Sequence, residues 1–247
     1  MTSTSAPQST GRPECPEPPA ARTFPVHHHP TSSAPAPQVR LETLLVRSGT
    51  GTDPATGAIT TPIHLSTAYG HPGLGESTGY DYTRTASPTR DVLQDALARL
   101  EGGTAAFALS SGMAALELVT RTLAPHGSRI VALRDLYGGS FRFLEVLAEE
   151  GAARVDFVLG IEGLRGALAD PADLVIIETP TNPMMEEIAI PEAAELARAA
   201  GARLVVDNTF YTPVVQRPLE LGADVVVHSG TKYLGGHNDV MAGVAVV

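Results

Sequence analysis

From residue 41 onward, short apolar runs alternate with segments in which apolar residues recur every three or four positions. The runs are almost wholly apolar, which is typical of strands that helices cover on both faces. Strands are predicted at 105–109, 130–133, 155–159, 174–178, 203–207, 224–228 and 242–247. Helices are predicted at 89–100, 112–123, 139–150, 161–169 and 191–200. This alternation predicts an α/β fold, in which a mainly parallel sheet lies between helices on both faces.

The first predicted helix, at 89–100, has clear end signals. Ser87 is predicted to cap its N-terminus, with Pro88 in the first turn. Gly102 and Gly103 follow its last apolar residue and are predicted to end it.

The two ends of the chain differ from the middle. Residues 1–39 are rich in Pro, Ser, Thr and Ala and are predicted to be a disordered tail, followed by an arm and one domain over 40–247. The tail contains His27, His28 and His29, but a disordered segment offers no fixed geometry, so no metal site is expected. The last predicted strand runs to Val247 without a polar stop, and we therefore expect the domain to be incomplete at its C-terminus.

Composition narrows the possible functions. The net charge is −10 and no basic run is present, which disfavours nucleic acid as a partner. Cys15 is the single cysteine, so no disulfide framework is expected. No apolar run is long enough to span a membrane, and no secretory signal is visible, so a cytoplasmic location without membrane association is expected.

Several residues with chemical potential follow the predicted strands, where ligands bind in open α/β sheets. Gly112 opens a helix after two serines, a turn that can bind an anion but that is more often a simple cap. Tyr137 stands beside two glycines and can cover a flat ligand or simply lie at the surface. Asn182 lies between two prolines, where its amide can face a ligand or serve the turn alone.

The last two strand ends carry the most specific pair. Asp207 ends the strand at 203–207, and a carboxylate there can keep a ring nitrogen protonated. Lys232 follows Ser229 and Thr231, whose hydroxyls can bind a phosphate while the amine attacks an aldehyde. A carboxylate and a lysine on successive strand ends are the two groups that pyridoxal 5'-phosphate (PLP) requires. The sequence therefore predicts PLP as cofactor and no catalytic metal.

From about residue 41 to residue 247, the chain resembles the Cys/Met metabolism PLP-dependent enzymes. The segment VDNTFYTPVVQRPLELGADVVVHSGTKYLGGHNDV is similar to the family signature around the cofactor lysine. The segment TGYDYTRTASPTR resembles bacterial cystathionine γ-synthases that also act as O-acetylhomoserine thiolyases. The resemblance implies the large domain of the aspartate aminotransferase-like fold, called fold type I, without the small C-terminal domain.

The resemblance also implies roles for residues that contact the cofactor ring. Lys232 would form the Schiff base and shuttle protons, and Asp207 would pair with the ring nitrogen. Tyr137 would stack on the ring, and Asn182 would lie near the ring hydroxyl. Thr209 matches a motif position of the cofactor site with a less defined role, as does Glu178.

A second set of implied roles concerns the cofactor phosphate. The groups implied to bind it within one subunit are the amides of Gly112 and Met113 and the hydroxyls of Ser229 and Thr231. Two further residues, Tyr82 and Arg84, are implied to reach the phosphate of a neighbouring subunit. A homodimer or homotetramer is therefore expected.

The implied activity is trans-sulfuration, as part of methionine biosynthesis and cysteine metabolism. In the first alternative, cysteine or another thiol replaces the acyl group of an O-acylated homoserine, which is γ-replacement. In the second, the chain is a cystathionine or methionine γ-lyase or a β-lyase, which eliminates across a C–S bond. In the third, it is a truncated PLP-binding remnant without turnover, because the family's C-terminal domain supplies the arginine that binds the substrate carboxylate.

Overall fold

The computed structural model describes residues 39–51, 53 and 55–247. The predicted tail, its three histidines and Cys15 lie outside the described residues, except that Val39 is described and exposed. None of the described helices is both long and apolar enough to cross a lipid bilayer.

A seven-stranded sheet forms the centre of the described region. Its strands are β1 (Ala106–Leu109), β2 (Ser128–Leu133), β3 (Ala153–Val158), β4 (Leu174–Glu178), β5 (Arg203–Asp207), β6 (Val225–Ser229) and β7 (Gly243–Val246). They lie in the order β1-β7-β6-β5-β4-β2-β3. Neighbouring strands from β6 to β3 are parallel, whereas β7 runs antiparallel to both β1 and β6. The prediction of a mainly parallel sheet is confirmed.

Helices connect the strands along most of the chain. They are α1 (Leu41–Arg47), α2 (Pro88–Glu101), α3 (Gly112–Leu123), α4 (Gly138–Glu149), α5 (Gly160–Ala167), α6 (Ile190–Ala199) and α7 (Thr212–Val215), with a 3-10 helix at Pro218–Leu221. The five predicted helices correspond to α2 to α6. Ser87 is the N-cap residue of α2 and Pro88 begins the helix, as predicted, although the Ser87 hydroxyl makes no capping hydrogen bond. Gly102 ends α2 in the left-handed conformation, with φ of 74°.

Two clusters of buried apolar side chains hold the layers together. The larger contains side chains of β2, β4 and β5 together with those of α3, α4, α5 and α6. The smaller packs α2 against β1, β6 and β7. Burial on both faces explains why the central strands are apolar at consecutive positions.

The parallel strands place their carboxyl ends along one edge of the sheet. The register pairs Glu178 with Asp207 on β4 and β5, and Asp207 with Val227 on β5 and β6. Three segments with candidate site residues therefore begin side by side: the loop after Glu178, the loop after Asp207 and the loop that holds Lys232.

Candidate active site

Thr209 joins the ends of β5 and β6. Its backbone N–H and its hydroxyl both donate to Oδ1 of Asp207, at 3.0 and 2.5 Å. The Thr209 hydroxyl in turn accepts a hydrogen bond of 2.8 Å from the N–H of Ser229. The carboxylate of Asp207 is therefore fixed beside the start of the lysine loop. Within the described residues, its Oδ2 has no hydrogen-bond partner and is left for another donor.

Glu178 is a buried acid on the strand next to Asp207. Its side chain is almost fully inaccessible, and its Oε2 accepts a hydrogen bond of 2.6 Å from the N–H of Tyr137. Burial, and next the charge of Asp207, raise the pKa of Glu178 to about 8. Burial also raises the pKa of Asp207, and the hydrogen bonds from Thr209 oppose that effect. Removal of two neighbouring carboxylates from water thus favours a proton on the pair.

Tyr137 stands directly before α4, with about half of its surface exposed. A side chain at position 139 would collide with the Tyr137 ring and would come within 3.1 Å of the Met113 sulfur. Glycine at 139 therefore leaves room for the aromatic ring over the start of α4. This arrangement brings Tyr137 and Met113 together, as the sequence predicts for two residues of one site.

The N-terminus of α3 lies against the end of β6. A Cβ atom on Gly112 would be 2.8 Å from Cα of Ser229, so only glycine allows this approach. Ser111 caps the helix by accepting a hydrogen bond of 3.1 Å from the Ala114 N–H. The first N–H groups of a helix have no intrahelical acceptors and attract anions. Those of Gly112 and Met113 thus lie near Ser229, where a phosphate could bind.

The loop after β6 holds Lys232 in a turn. Its N–H donates to the Ser229 carbonyl at 3.2 Å, and its carbonyl accepts from the Gly236 N–H at 2.7 Å. The Lys232 residue is exposed, and within the described residues its amine forms no ion pair. The Thr231 hydroxyl, by contrast, is bonded to the carbonyl and the N–H of Ala242 at 3.3 and 3.1 Å. A phosphate contact by Thr231 would have to replace one of these bonds.

Three predicted site residues stand apart from this hydrogen-bonded group. Tyr82 is 44% exposed in the arm before α2, and the Arg84 guanidinium lies 5.3 Å from the centre of its ring. Within the described residues, no hydrogen bond or ion pair joins them to the strand ends. Asn182 is partly buried in the loop after β4, and the described part of the chain offers its amide no hydrogen bond.

The sequence holds one further signal for Lys232, whereas the pairing of Glu178 is visible only in the structure. Lys232 is the only lysine of the 247-residue chain, whose other basic residues are arginines. A simple count would have singled it out. Glu178 ends a fully apolar strand, and only its register with Asp207 shows that it belongs to a pair of acids.

The family described as Cys/Met metabolism PLP-dependent enzyme matches residues 42–247. The chain belongs to this family. Its relatives include the cystathionine gamma-synthase/O-acetylhomoserine (thiol)-lyase of Bacillus subtilis, which is 48% identical over 84% of this chain and 56% of the relative. The cystathionine beta-lyase of Lactococcus lactis subsp. cremoris is 41% identical over 83% of this chain and 54% of the relative.

Solved structures of this family share the fold. The cystathionine gamma synthase of Xanthomonas oryzae pv. oryzae, in complex with aminoacrylate and cysteine, superposes with a TM-score of 0.82 at 43% identity. The match covers 85% of this chain and 55% of that one. The chain thus spans about half the length of the relatives that it matches, and it has the large-domain fold of fold type I enzymes.

The residues of the strand-end site fit the family cofactor. PLP needs an acceptor for its ring N–H, a primary amine, donors for its phosphate and a flat surface. Asp207 Oδ2 is available as the acceptor, and Lys232 carries the chain's one side-chain primary amine. The amides that begin α3 and the Tyr137 ring supply the other two requirements.

Proposed function

We propose that the strand-end site binds PLP with Lys232 as its covalent attachment point. The observation that carries this proposal is the Asp207–Thr209–Ser229 connection, which sets an oriented carboxylate beside the lysine loop. Membership of a PLP-dependent family supports the same assignment. In this proposal, Tyr137 covers the ring and Asn182 lies near the ring hydroxyl.

The phosphate is proposed to bind at the N-terminus of α3. The Gly112 and Met113 amides would donate to its oxygens, together with the hydroxyl of Ser229 and, after it releases Ala242, that of Thr231. The helix dipole would add attraction for the negative charge.

We propose γ-replacement on an O-acylated homoserine as the activity of the whole protein, with cysteine or another thiol as the incoming group. PLP, when bound, withdraws electrons from the α-carbon of an attached amino acid. Lys232 would take the proton from that carbon. Loss of a second proton, at Cβ, would expel the acyl group from Cγ as a carboxylate. The thiol would then add to Cγ with loss of its own proton, and Lys232 would help to return protons to Cβ and the α-carbon. Asp207 would keep a positive charge on the ring nitrogen, because an adjacent carboxylate stabilises the protonated form.

A homodimer or homotetramer is proposed as the assembled form. The exposed side chains of Tyr82 and Arg84 would reach the phosphate site of a neighbouring subunit. The same arm exposes several large apolar side chains, among them Ile63 at 76% and Leu65 at 89% of their surface. Exposed apolar side chains of this size are costly in water, and a protein partner could cover them. We further propose a cytoplasmic location.

A C–S lyase is the second candidate function. The 41% sequence identity to the cystathionine beta-lyase of Lactococcus supports it. Replacement and elimination would use the same strand-end residues. Product analysis separates them, because cysteine and an O-acylated homoserine give cystathionine by replacement, whereas a β- or γ-lyase that is given cystathionine releases a 2-oxo acid and ammonia. Cofactor binding without either product would leave PLP binding as the only activity.

The cofactor assignment can be tested by reduction with borohydride after incubation with PLP. The chain has one lysine, so a phosphopyridoxyl mass on the peptide with Lys232 would be unambiguous. The visible absorption band of lysine-bound PLP should be present in the parent and absent in Lys232→Ala. Arg154→Ala, which removes an exposed cation from β3, should keep both signals. An unchanged band in Lys232→Ala would reject the assignment.

A further inference from the structure

A buried polar cluster lies under the strand ends, centred on Glu101 and His228. Both side chains are within 1% of complete burial. Oε1 of Glu101 lies 2.5 Å from Nε2 of His228 and accepts a hydrogen bond of 3.0 Å from Nδ2 of Asn208. Glu101 is the last residue of α2, so the cluster connects that helix to β5 and β6.

Burial of these polar side chains costs free energy. A buried carboxylate loses its hydration, and the C-terminal end of a helix repels negative charge. Within the described residues, Oε2 of Glu101 and Nδ1 of His228 are buried without any hydrogen-bond partner. Apolar side chains of similar volume often serve stability at least as well as a buried ion pair. A purely structural role therefore explains the pair poorly.

The cluster extends to a third strand end. The amide of Asn208 donates to the Gln216 carbonyl at 3.0 Å. The Gln216 side chain donates to Oδ1 of Asn208 at 2.9 Å and to the Thr179 carbonyl at 2.8 Å. Hydrogen bonds from one helix end thus reach β4, β5 and β6.

Two members of the cluster are each next in sequence to a residue of the candidate site. Asn208 follows Asp207, and His228 precedes Ser229. Successive side chains of an extended chain point to opposite faces. The cluster can therefore fix the strand ends from one face while the cofactor site uses the other.

We propose that Glu101 and His228 are positioning residues, which hold the ends of β5 and β6 in the register that presents Asp207 and Ser229 to the cofactor. The proposal rests on PLP binding at the strand-end site. It assigns neither residue a contact with cofactor or substrate.

An electrostatic contribution points in the same direction. Coulombic attraction to His228 lowers the pKa of Asp207 and thereby opposes the effect of burial on that carboxylate. His228 thus supports both the position of Asp207 and its charge.

The test compares Glu101→Leu, Glu101→Gln and Leu164→Ala in the full chain. Loss of the acceptor in Glu101→Leu should raise the PLP dissociation constant by about tenfold. It should also change the visible circular dichroism of the bound cofactor. Glu101→Gln keeps an oxygen that accepts from Asn208 and should stay within about threefold of the parent. Leu164→Ala removes a buried side chain elsewhere, and should lower the unfolding temperature without changing affinity or dichroism.

Hydrogen exchange of the cofactor-free protein gives a readout that does not need PLP. Peptides over 205–212 and 226–232 should exchange faster in Glu101→Leu than in Leu164→Ala. If Glu101→Leu does not fold, His228→Leu is compared with His228→Gln in the same measurements of affinity, dichroism and exchange. Affinity, dichroism and exchange in Glu101→Leu that match those of Leu164→Ala would overturn the positioning role. Absence of PLP binding by the parent would instead reject the proposed function.

Discussion

Glu178 and Asp207 occupy paired positions at the ends of the neighbouring parallel strands β4 and β5. The two acids differ in their hydrogen bonds: Glu178 receives the N–H of Tyr137, and Asp207 receives both donors of Thr209. The two donors of Thr209 oppose the effect of burial on the pKa of Asp207, whereas burial and the charge of Asp207 raise the pKa of Glu178 to about 8. The hydrogen bonds therefore favour the anion more at Asp207, the carboxylate that is proposed to face the cofactor, than at Glu178.

Glu178 should make the stability of the cofactor-free protein depend on pH. Its pKa in the folded state is about 8, above the ordinary value of 4.5, so folding favours the protonated form. This contribution is fully present below about pH 4.5 and is lost as the pH rises through 8. The parent should therefore lose free energy of unfolding relative to Glu178→Gln between pH 5 and 9, by on the order of 1–4 kcal/mol.

Denaturant unfolding of both proteins at pH 5, 7 and 9 measures this difference. Glutamine keeps the acceptor for the Tyr137 N–H, so the comparison isolates the ionisable group. Parallel stability curves across this range would contradict the assignment of the raised pKa to Glu178.

Substitution of Thr209 should weaken cofactor binding through Asp207. Thr209→Val has nearly the same shape but loses the hydroxyl that donates to Asp207 and accepts from Ser229. The pKa of Asp207 should rise further, since its largest stabilising hydrogen bond is removed. We expect PLP affinity to fall by about tenfold, measured by equilibrium dialysis. Thr209→Ser should recover most of it, and equal affinities for both variants would show that the hydroxyl is unimportant.

Gly112→Ala should be destabilising, although alanine is the better helix former. The new Cβ would lie 2.8 Å from Ser229 Cα, so α3 would have to move away from β6. We expect a loss of about 1–3 kcal/mol in unfolding free energy, and weaker PLP binding. Gly166→Ala provides the control: nothing lies within 4 Å of its Cβ, and stability should rise by about 0.5–1 kcal/mol. A neutral Gly112→Ala would contradict the close approach of α3 and β6.

Arg129 lies at the amino ends of the parallel strands, opposite the candidate site. Its substitution should lower stability without changing cofactor binding. Its guanidinium donates to the carboxylate of Asp156 at 2.8 Å and to three backbone carbonyls between 167 and 171, each at 3.0 Å. Arg129→Met should lower the free energy of unfolding by about 2–4 kcal/mol. PLP affinity should not change, because the candidate site lies at the opposite ends of the strands.

A matched variant separates this effect from the loss of any surface arginine. Arg154 on β3 lies opposite Arg129 on β2 in the strand register, but Arg154 is exposed. Arg154→Met should change the free energy of unfolding by less than about 0.5 kcal/mol. A drop as large as that of Arg129→Met would mean that the carbonyl contacts of Arg129 contribute little.

The core strands could be predicted because burial on both faces leaves a simple apolar signature. The predicted bounds 174–178 and 203–207 agree with β4 and β5, and 112–123 agrees with α3. At β2 the prediction began two residues late, at 130, because Ser128 and Arg129 are polar. Their partners come from distant segments, Asp156 and Asp173 among them, which no local pattern reveals.

The sequence could not predict the direction of every strand or the contacts between side chains of distant segments. Nothing local indicates that β7 runs antiparallel, since an apolar run reads the same in either direction. Short helices such as Thr212–Val215 lack the periodicity that marks longer ones. No local pattern indicates the Glu101–His228 contact either, because it joins positions 127 apart in the chain.

The position of β7 between β1 and β6 has a consequence for how the protein is made. The backbone of Thr104 and Ala105, just before β1, is bonded to Val247, and Thr104 and Val247 are 143 residues apart. Until translation has passed Gly243, a ribosome-bound chain would expose the pairing edges of both β1 and β6. Contacts so distant slow productive collapse, and unpaired strand edges invite association with other chains. Early chaperone engagement is therefore expected to matter more for this polypeptide than for one whose strands pair in order of synthesis.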